Sequence, residues 1–179
     1  MFEELNSIGF QSCEYMRLIF LDIDGVLTSK MSNTFIFECP GENYDFNPYC
    51  VECLKYILDT IPDLKVVISS SWRNYPDNHI MIGRTNGETY KSLIPKIKEL
   101  LGDRLIGHAT EAEKLDGKSN KYDAICDYLN SDPDILDFVV LDDDPTQGLQ
   151  GFGEQFVKIS STTGLTLQDC KKVIDYFNS

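Results

Sequence analysis

Residues 17–29 read RLIFLDIDGVLTS, an apolar run that ends on two carboxylates one residue apart, followed at once by a glycine. The unbroken stretch Leu18 to Leu21 is what a strand buried on both faces needs. Asp22 and Asp24 then stand at its C-terminal tip, where without a cation they would repel each other across a short loop. That predicts a divalent metal held by hard oxygen ligands, Mg²⁺ before others.

Outward from that segment, strands and helices alternate along the chain. Asn47-Pro48 reads as an N-cap with proline at the first helical position, and Val51, Leu54, Leu58 and Ile61 mark one helical face. Lys65–Ile68 is the second strand. A helix over Leu93–Leu101 is closed by Gly102, with Pro95 tolerable only in its first turn, and Arg104–Gly107 makes a short third strand. A helix over Lys121–Asn130 turns Ile125 and Leu129 inward. Asp137–Leu141 and Phe156–Ile159 are further strands, and Thr166-Leu-Gln-Asp169 is a capping box that opens a last helix ending near Phe177. A hairpin is expected around Thr34–Glu38, and Asn74–Glu88 is read as a loop.

This alternation predicts an α/β fold of three layers, a doubly wound parallel sheet with helices on both sides and right-handed crossovers. Ligands then sit beyond the C-terminal ends of the strands, which singles out the polar residues there. They are Asp22 and Asp24 after the first strand, Ser69 to Arg73 after the second, and Asp142, Asp143 and Asp144 after the fourth. Three adjacent carboxylates after a buried strand would destabilise one another without a cation, which again asks for a metal.

Bulk properties bound the function. At 179 residues with 42% hydrophobic and 25% charged residues, the chain reads as one globular domain over 1–179, with 1–15 a peripheral extension. No apolar stretch approaches a membrane span and the start lacks a secretory pattern, so no membrane partner and a cytoplasmic location are expected. The six cysteines show no paired framework and are expected reduced. Cys50 and Cys53 form one C-x-x-C, read either as half a zinc site or as two half-buried helix thiols. Two histidines leave little material for a histidine triad.

The net charge of −13 opposes loose attraction to nucleic acid. Yet Arg73 to Lys121 holds nine basic against seven acidic residues, so this stretch is at +2 and the remainder at −15. A phosphorylated substrate could be met there, or these charges could be solvated helix faces.

Taken in order, DIDGVLT, VVIS, a lysine opening a helix, and VVLDD resemble the four motifs of the haloacid dehalogenase-like superfamily, mostly phosphatases, over nearly the whole chain. The resemblance implies an Mg²⁺-dependent phosphomonoester hydrolase working through an aspartyl phosphate. By position it makes Asp22 the nucleophile and Asp24 the general acid, then base. Ser69 resembles the hydroxyl that binds a phosphoryl oxygen, with Ser70 the adjacent alternative. Lys121 is preferred over Lys118 as the cation on the phosphoryl group. Asp142 and Asp143 would hold the metal with Asp22 and the backbone carbonyl of Asp24, while Asp144 orders its loop.

Ser69–Arg73, read SSSWR, resembles small capless domains of this superfamily grouped with RNA-repair proteins. Arg73 is read either as a substrate-phosphate contact or as an ion-pair partner of an acid such as Asp45. Neither interval where this superfamily inserts caps has room for a large one. That implies an open site suited to a nucleic-acid end or a phosphoprotein, with Asn74–Glu88 as a small lid. Against this stands a metal- or phosphate-sensing module without turnover, or a phosphatase of small metabolites.

Overall fold

The computed structural model describes residues 15–31, 46–71, 80–82, 89–91, 93–109 and 120–179, with the backbone alone at 80–82 and 89–91. The expected hairpin near Thr34–Glu38 and the residues Trp72, Arg73 and Lys118 lie outside the described residues.

Strand β1 (Met16–Leu21) buries Leu18 to Leu21 completely, as an apolar run in the middle of a covered sheet must. Helix α1 (Pro48–Thr60) starts where Asn47 caps it: the Asn47 side chain accepts from the backbone N–H of Tyr49, and Pro48 fills the first helical position. Then come β2 (Leu64–Ile68), β3 (Ile80–Ile82), β4 (Thr89–Lys91) and α2 (Ile94–Leu101), the last with Pro95 in its first turn. Beyond a 3₁₀ turn at Gly102–Arg104 the chain forms β5 (Leu105–His108), α3 (Lys121–Ser131) and β6 (Ile135–Asp142). Two 3₁₀ segments, Pro145–Gln147 and Leu149–Gln155, lead into β7 (Phe156–Lys158) and α4 (Leu167–Phe177). Thr166 and Asp169 close a reciprocal capping box on α4.

Five strands make one sheet in the order β5-β2-β1-β6-β7, every pair parallel. Alternate residues feed two cores, because successive strand side chains point to opposite faces. Ile19, Leu21, Val66 and Ile68 pack with Leu54 and Ile57 of α1, Ile97 of α2 and Val173 of α4. Leu18, Phe20, Val67 and Val140 pack with Ala124 and Ile125 of α3, and Phe138 and Phe152 complete that side. The three-layer α/β expectation therefore holds.

Two differences from the sequence reading have plain causes. β3 and β4 form a separate antiparallel ribbon, Ile80 against Lys91 and Ile82 against Thr89, with β3 inside the stretch Asn74–Glu88 read as a loop and β4 directly after it. Strands of three residues are too short for an alternation signal. β6 begins two residues before the expected Asp137, where Ile135 is half-buried and Leu136 is exposed. Among the described residues no helix is long and apolar enough to cross a membrane.

Candidate active site

The adjacent parallel strands β1 and β6 both end in carboxylates, and their register fixes where these lie. Leu21 pairs with Leu141, and the N–H of Asp22 donates to the Leu141 carbonyl at 3.0 Å, so Asp22 and Asp142 leave the sheet side by side. Each continues the alternation that turns Phe20 and Val140 toward α3. Asn120 caps α3, its side chain accepting from the Asp123 N–H at 2.8 Å. That places Lys121, the first helical residue, over the same strand tips. Its ammonium lies 3.0 Å from Asp22 Oδ2 and 2.6 Å from Asp142 Oδ2.

Carboxylate oxygens of Asp22, Asp142 and Asp143 all fall within 4.8 Å of one another. Three negative groups against one ammonium leave this cluster at −2 when all are ionised. Burial, then the Asp142 charge, pushes the Asp22 carboxyl up to about 6, against the opposing pull of Lys121 and a hydrogen bond from Ser70. Burial raises Asp142 as well, with Lys121 opposing, and raises Asp143 together with the charge of Asp22. For Lys121, burial favours the neutral amine, but the two carboxylates outweigh it and hold the ammonium above its ordinary value.

The loops fix the remaining geometry. Gly25 has φ of +77°, and a Cβ added there would stand 2.3 Å from Asp143 Oδ2, so a side chain at 25 would displace that carboxylate. Both oxygens of Asp142 accept a bond: Oδ2 from Lys121 and Oδ1 from the Asp144 N–H at 2.8 Å. Asp144 turns away and binds Thr146 through its N–H at 2.8 Å and its hydroxyl at 2.6 Å, which holds its carboxyl below the usual range. Asp24 is half-buried, and Thr28 donates to its Oδ1 at 3.3 Å. Ser69 continues β2, its N–H on the Leu21 carbonyl at 2.9 Å; its hydroxyl is buried and finds no hydrogen-bond partner among the described residues.

The fold thus gathers Asp22, Asp142, Asp143 and Lys121, with Ser70 on Asp22. Sequence reasoning passed over Thr28, whose signal was its place four residues after Asp24, and Gly25 as the seat of Asp143. Lys121 of α3 interlocks with the loop after β6 through Tyr122. A Cβ at Gly151 would stand 2.7 Å from the Tyr122 ring, which meets the Phe152 ring at 4.5 Å between centroids.

The donor set suits a hard divalent ion. It consists of carboxylate oxygens alone, two of the three residues buried and the third half-buried, carries excess negative charge and has a glycine cleared for Asp143. Such a set can bind a cation and present one carboxylate as a nucleophile beside a fixed ammonium.

No curated protein matches the sequence. The HAD domain of effector protein Lem4 from Legionella pneumophila superposes with a TM-score of 0.47 at 14% identity, over 93% of this chain and 94% of that one. An inactive mutant of the same domain gives 0.44 at 13%, over 92% and 99%. The family described as the HAD domain in Swiss Army Knife RNA repair proteins matches residues 18–170, and the chain belongs to that family.

Proposed function

We propose that the chain is an Mg²⁺-dependent phosphomonoester hydrolase that forms an aspartyl phosphate on Asp22, and that its substrates are phosphorylated nucleic-acid ends. The observation that carries the reaction class is the trio of buried Asp22 and Asp142 and half-buried Asp143 with the Lys121 ammonium set between the first two. The family's description, which names RNA repair, supports the choice of substrate.

Asp22 and Asp143, with Asp142 beside them and the carbonyl of Asp24, would hold the ion. When bound, Mg²⁺ offsets the cluster's negative charge and that of the phosphate, so that an anionic nucleophile can approach an anionic substrate. An oxygen of Asp22 attacks phosphorus, and the bond from phosphorus to the leaving oxygen breaks as Asp24 gives that oxygen a proton. Asp24 then takes a proton from water, which attacks the aspartyl phosphate, releases inorganic phosphate and restores the Asp22 carboxylate. Thr28 orients Asp24 for both transfers. Lys121 neutralises charge on the transferring group, and Asp142 keeps the ammonium aimed. The buried hydroxyl of Ser69 donates to a phosphoryl oxygen, while Ser70 steadies Asp22. In this reading Asp142 serves both the lysine and the ion, since each of its oxygens keeps a lone pair beyond the one hydrogen bond it accepts.

Phosphate release from p-nitrophenyl phosphate tests this reading. Hydrolysis is expected with Mg²⁺, is abolished by EDTA, and falls by roughly 10⁴-fold or more in Asp22→Asn. Undiminished turnover by that variant would refute the nucleophile, and absence of turnover by the unaltered protein would favour a sensing module.

A further inference from the structure

Two glycines follow the carboxylates of β6, and they are glycines for different reasons. Gly148 lies at φ of +78°, which its turn requires, whereas Gly151 lies outside the left-handed region. What forbids a side chain at 151 is the Tyr122 ring: a Cβ there would stand 2.7 Å from its Cε2, 3.2 Å from Cζ and 3.3 Å from Cδ2. A Cβ at Gly148 would stand 3.3 Å from the Cβ of the same tyrosine. Tyr122 therefore sits on both glycines, and the Gly151 N–H, donating to the Gly148 carbonyl at 3.0 Å, closes the seat beneath it.

That seat is continuous with the acids. Asp142 Oδ1 accepts from the Asp144 N–H, and Asp144 in turn accepts from the Thr146 N–H and from the Gln147 amide at 3.2 Å, one residue short of Gly148. On the helix side, Tyr122 directly follows Lys121. Of the first three residues of α3, Lys121 and Asp123 are polar, so the Tyr122 ring anchors this end of the helix to the core on the α3 side. The ring thereby joins the lysine to the segment that supplies its partner Asp142 and the neighbouring Asp143. Further rings carry the contact into the strands under the site. Tyr122 meets Phe152, Phe152 meets Phe138 at 5.4 Å, and Phe138 meets Phe20 at 5.8 Å between centroids. Phe20 and Phe138 belong to β1 and β6, the strands that end in Asp22 and Asp142. Phe20 also meets Tyr128 at 5.6 Å, and a Cβ at Gly107 would stand 3.2 Å from the Tyr128 hydroxyl. Both ends of α3 are thus held by a tyrosine against a glycine.

Lysine carries its charge on a flexible stem, so where the ammonium points depends on where the helix holds its Cα. Here one ammonium spans two carboxylates on two strands, at 3.0 and 2.6 Å. A misplacement of about 1 Å in such a group can cost about 100-fold in rate. We propose that Tyr122 is a positioning residue for the reaction: its ring, seated on Gly148 and Gly151 and packed against Phe152, keeps the Lys121 ammonium aimed at the phosphoryl site. This rests on the phosphatase reading above and adds what holds its cation in place.

The test uses Tyr122→Phe, Tyr122→Ala and Gly151→Ala in the full chain, the last two also combined with each other and with Lys121→Met. With p-nitrophenyl phosphate and Mg²⁺, Tyr122→Ala and Gly151→Ala are each expected to lower kcat by roughly 10- to 100-fold with KM within about threefold, while Tyr122→Phe, which keeps the ring, stays within about twofold. Gly151→Ala should cost nothing further once the ring is gone, and neither substitution should lower the residual turnover of Lys121→Met. A merely structural role would lower turnover in both backgrounds. Unchanged kcat in Gly151→Ala, an equal further loss on top of Lys121→Met, or a loss in Tyr122→Phe as large as in Tyr122→Ala would overturn the proposal. Urea midpoints of the metal-free protein read the same coupling without turnover: Gly151→Ala and Lys121→Met together should shift the midpoint by less than the sum of their separate shifts, and additive shifts would overturn the proposal. Failure of the unaltered protein to hydrolyse p-nitrophenyl phosphate would overturn the phosphatase reading alone, since the midpoints still decide whether Tyr122 holds Lys121.

Discussion

Two buried clusters of ionisable groups, one of oxygen and one of sulfur, sit on the same fold and behave in opposite ways. Cys50 and Cys53 on α1 and Cys170 on α4 lie in the larger core, where the Cys170 thiol donates to the Cys53 carbonyl at 3.3 Å and Cys50 to the Thr163 carbonyl at 3.6 Å. Burial pushes Cys50 up to about 11 and Cys170 to about 12, and raises Cys53, so all three rest as neutral thiols that pack like small apolar groups. Asp22, Asp142 and Asp143 are raised too, but Asp22, at about 6, still ionises at neutral pH, with a single lysine facing the three carboxyls. A thiol escapes the cost of burial by keeping its proton, whereas a carboxylate needs a counter-charge. The sulfur cluster packs as part of the core, whereas the oxygen cluster, the candidate site, carries a cost in stability.

The largest break in that contrast comes from Lys121→Met. Activity on p-nitrophenyl phosphate is expected to fall about 10³-fold, and the metal-free protein to lose about 3 kcal/mol in chemical denaturation because Asp22 and Asp142 lose their ammonium. Retention of both would show that the ion pair is incidental. Next is the dependence on pH. Because the folded pKa of Asp22 lies near 6, above its ordinary 3.8, its ionisation disfavours the metal-free fold above pH 6, and that penalty fades as pH drops from 6 toward 4. Mg²⁺ binds the ionised form, so the melting temperature should rise more with added Mg²⁺ at pH 7.5 than at pH 5. Equal shifts at the two pH values would remove Asp22 from the ion. The smallest effect belongs to the thiols: Cys53→Ala should cost about 1–2 kcal/mol by cavity formation and leave turnover unchanged. A loss of activity or of bound zinc in that variant would return the C-x-x-C to a functional role.

The parts of this molecule that depend on local sequence were legible before any coordinates. The apolar run of β1, the Asn47-Pro48 start of α1 and the Thr166–Asp169 box each declare themselves within a few residues, because a strand's burial and a helix's orphan N–H groups are satisfied locally. That acids collect at one edge followed from parallel topology alone. What stayed hidden was pairing across the chain. Whether Asp142 reaches an ion or the ammonium of Lys121 depends on strand register and on the cap at Asn120, and 21 residues separate the pair. The C-x-x-C looked half-exposed on its helix, but α4 covers it, and only packing reveals that.

The central claim is that a divalent cation and a phosphoryl group meet at Asp22. A crystal structure of the protein with Mg²⁺ and trifluoroberyllate examines it most directly. The account expects beryllium on a carboxylate oxygen of Asp22, Mg²⁺ at about 2.1 Å from oxygens of Asp22 and Asp143, and the Lys121 ammonium against a fluoride. Beryllium on another side chain, or Mg²⁺ away from these carboxylates, would contradict it.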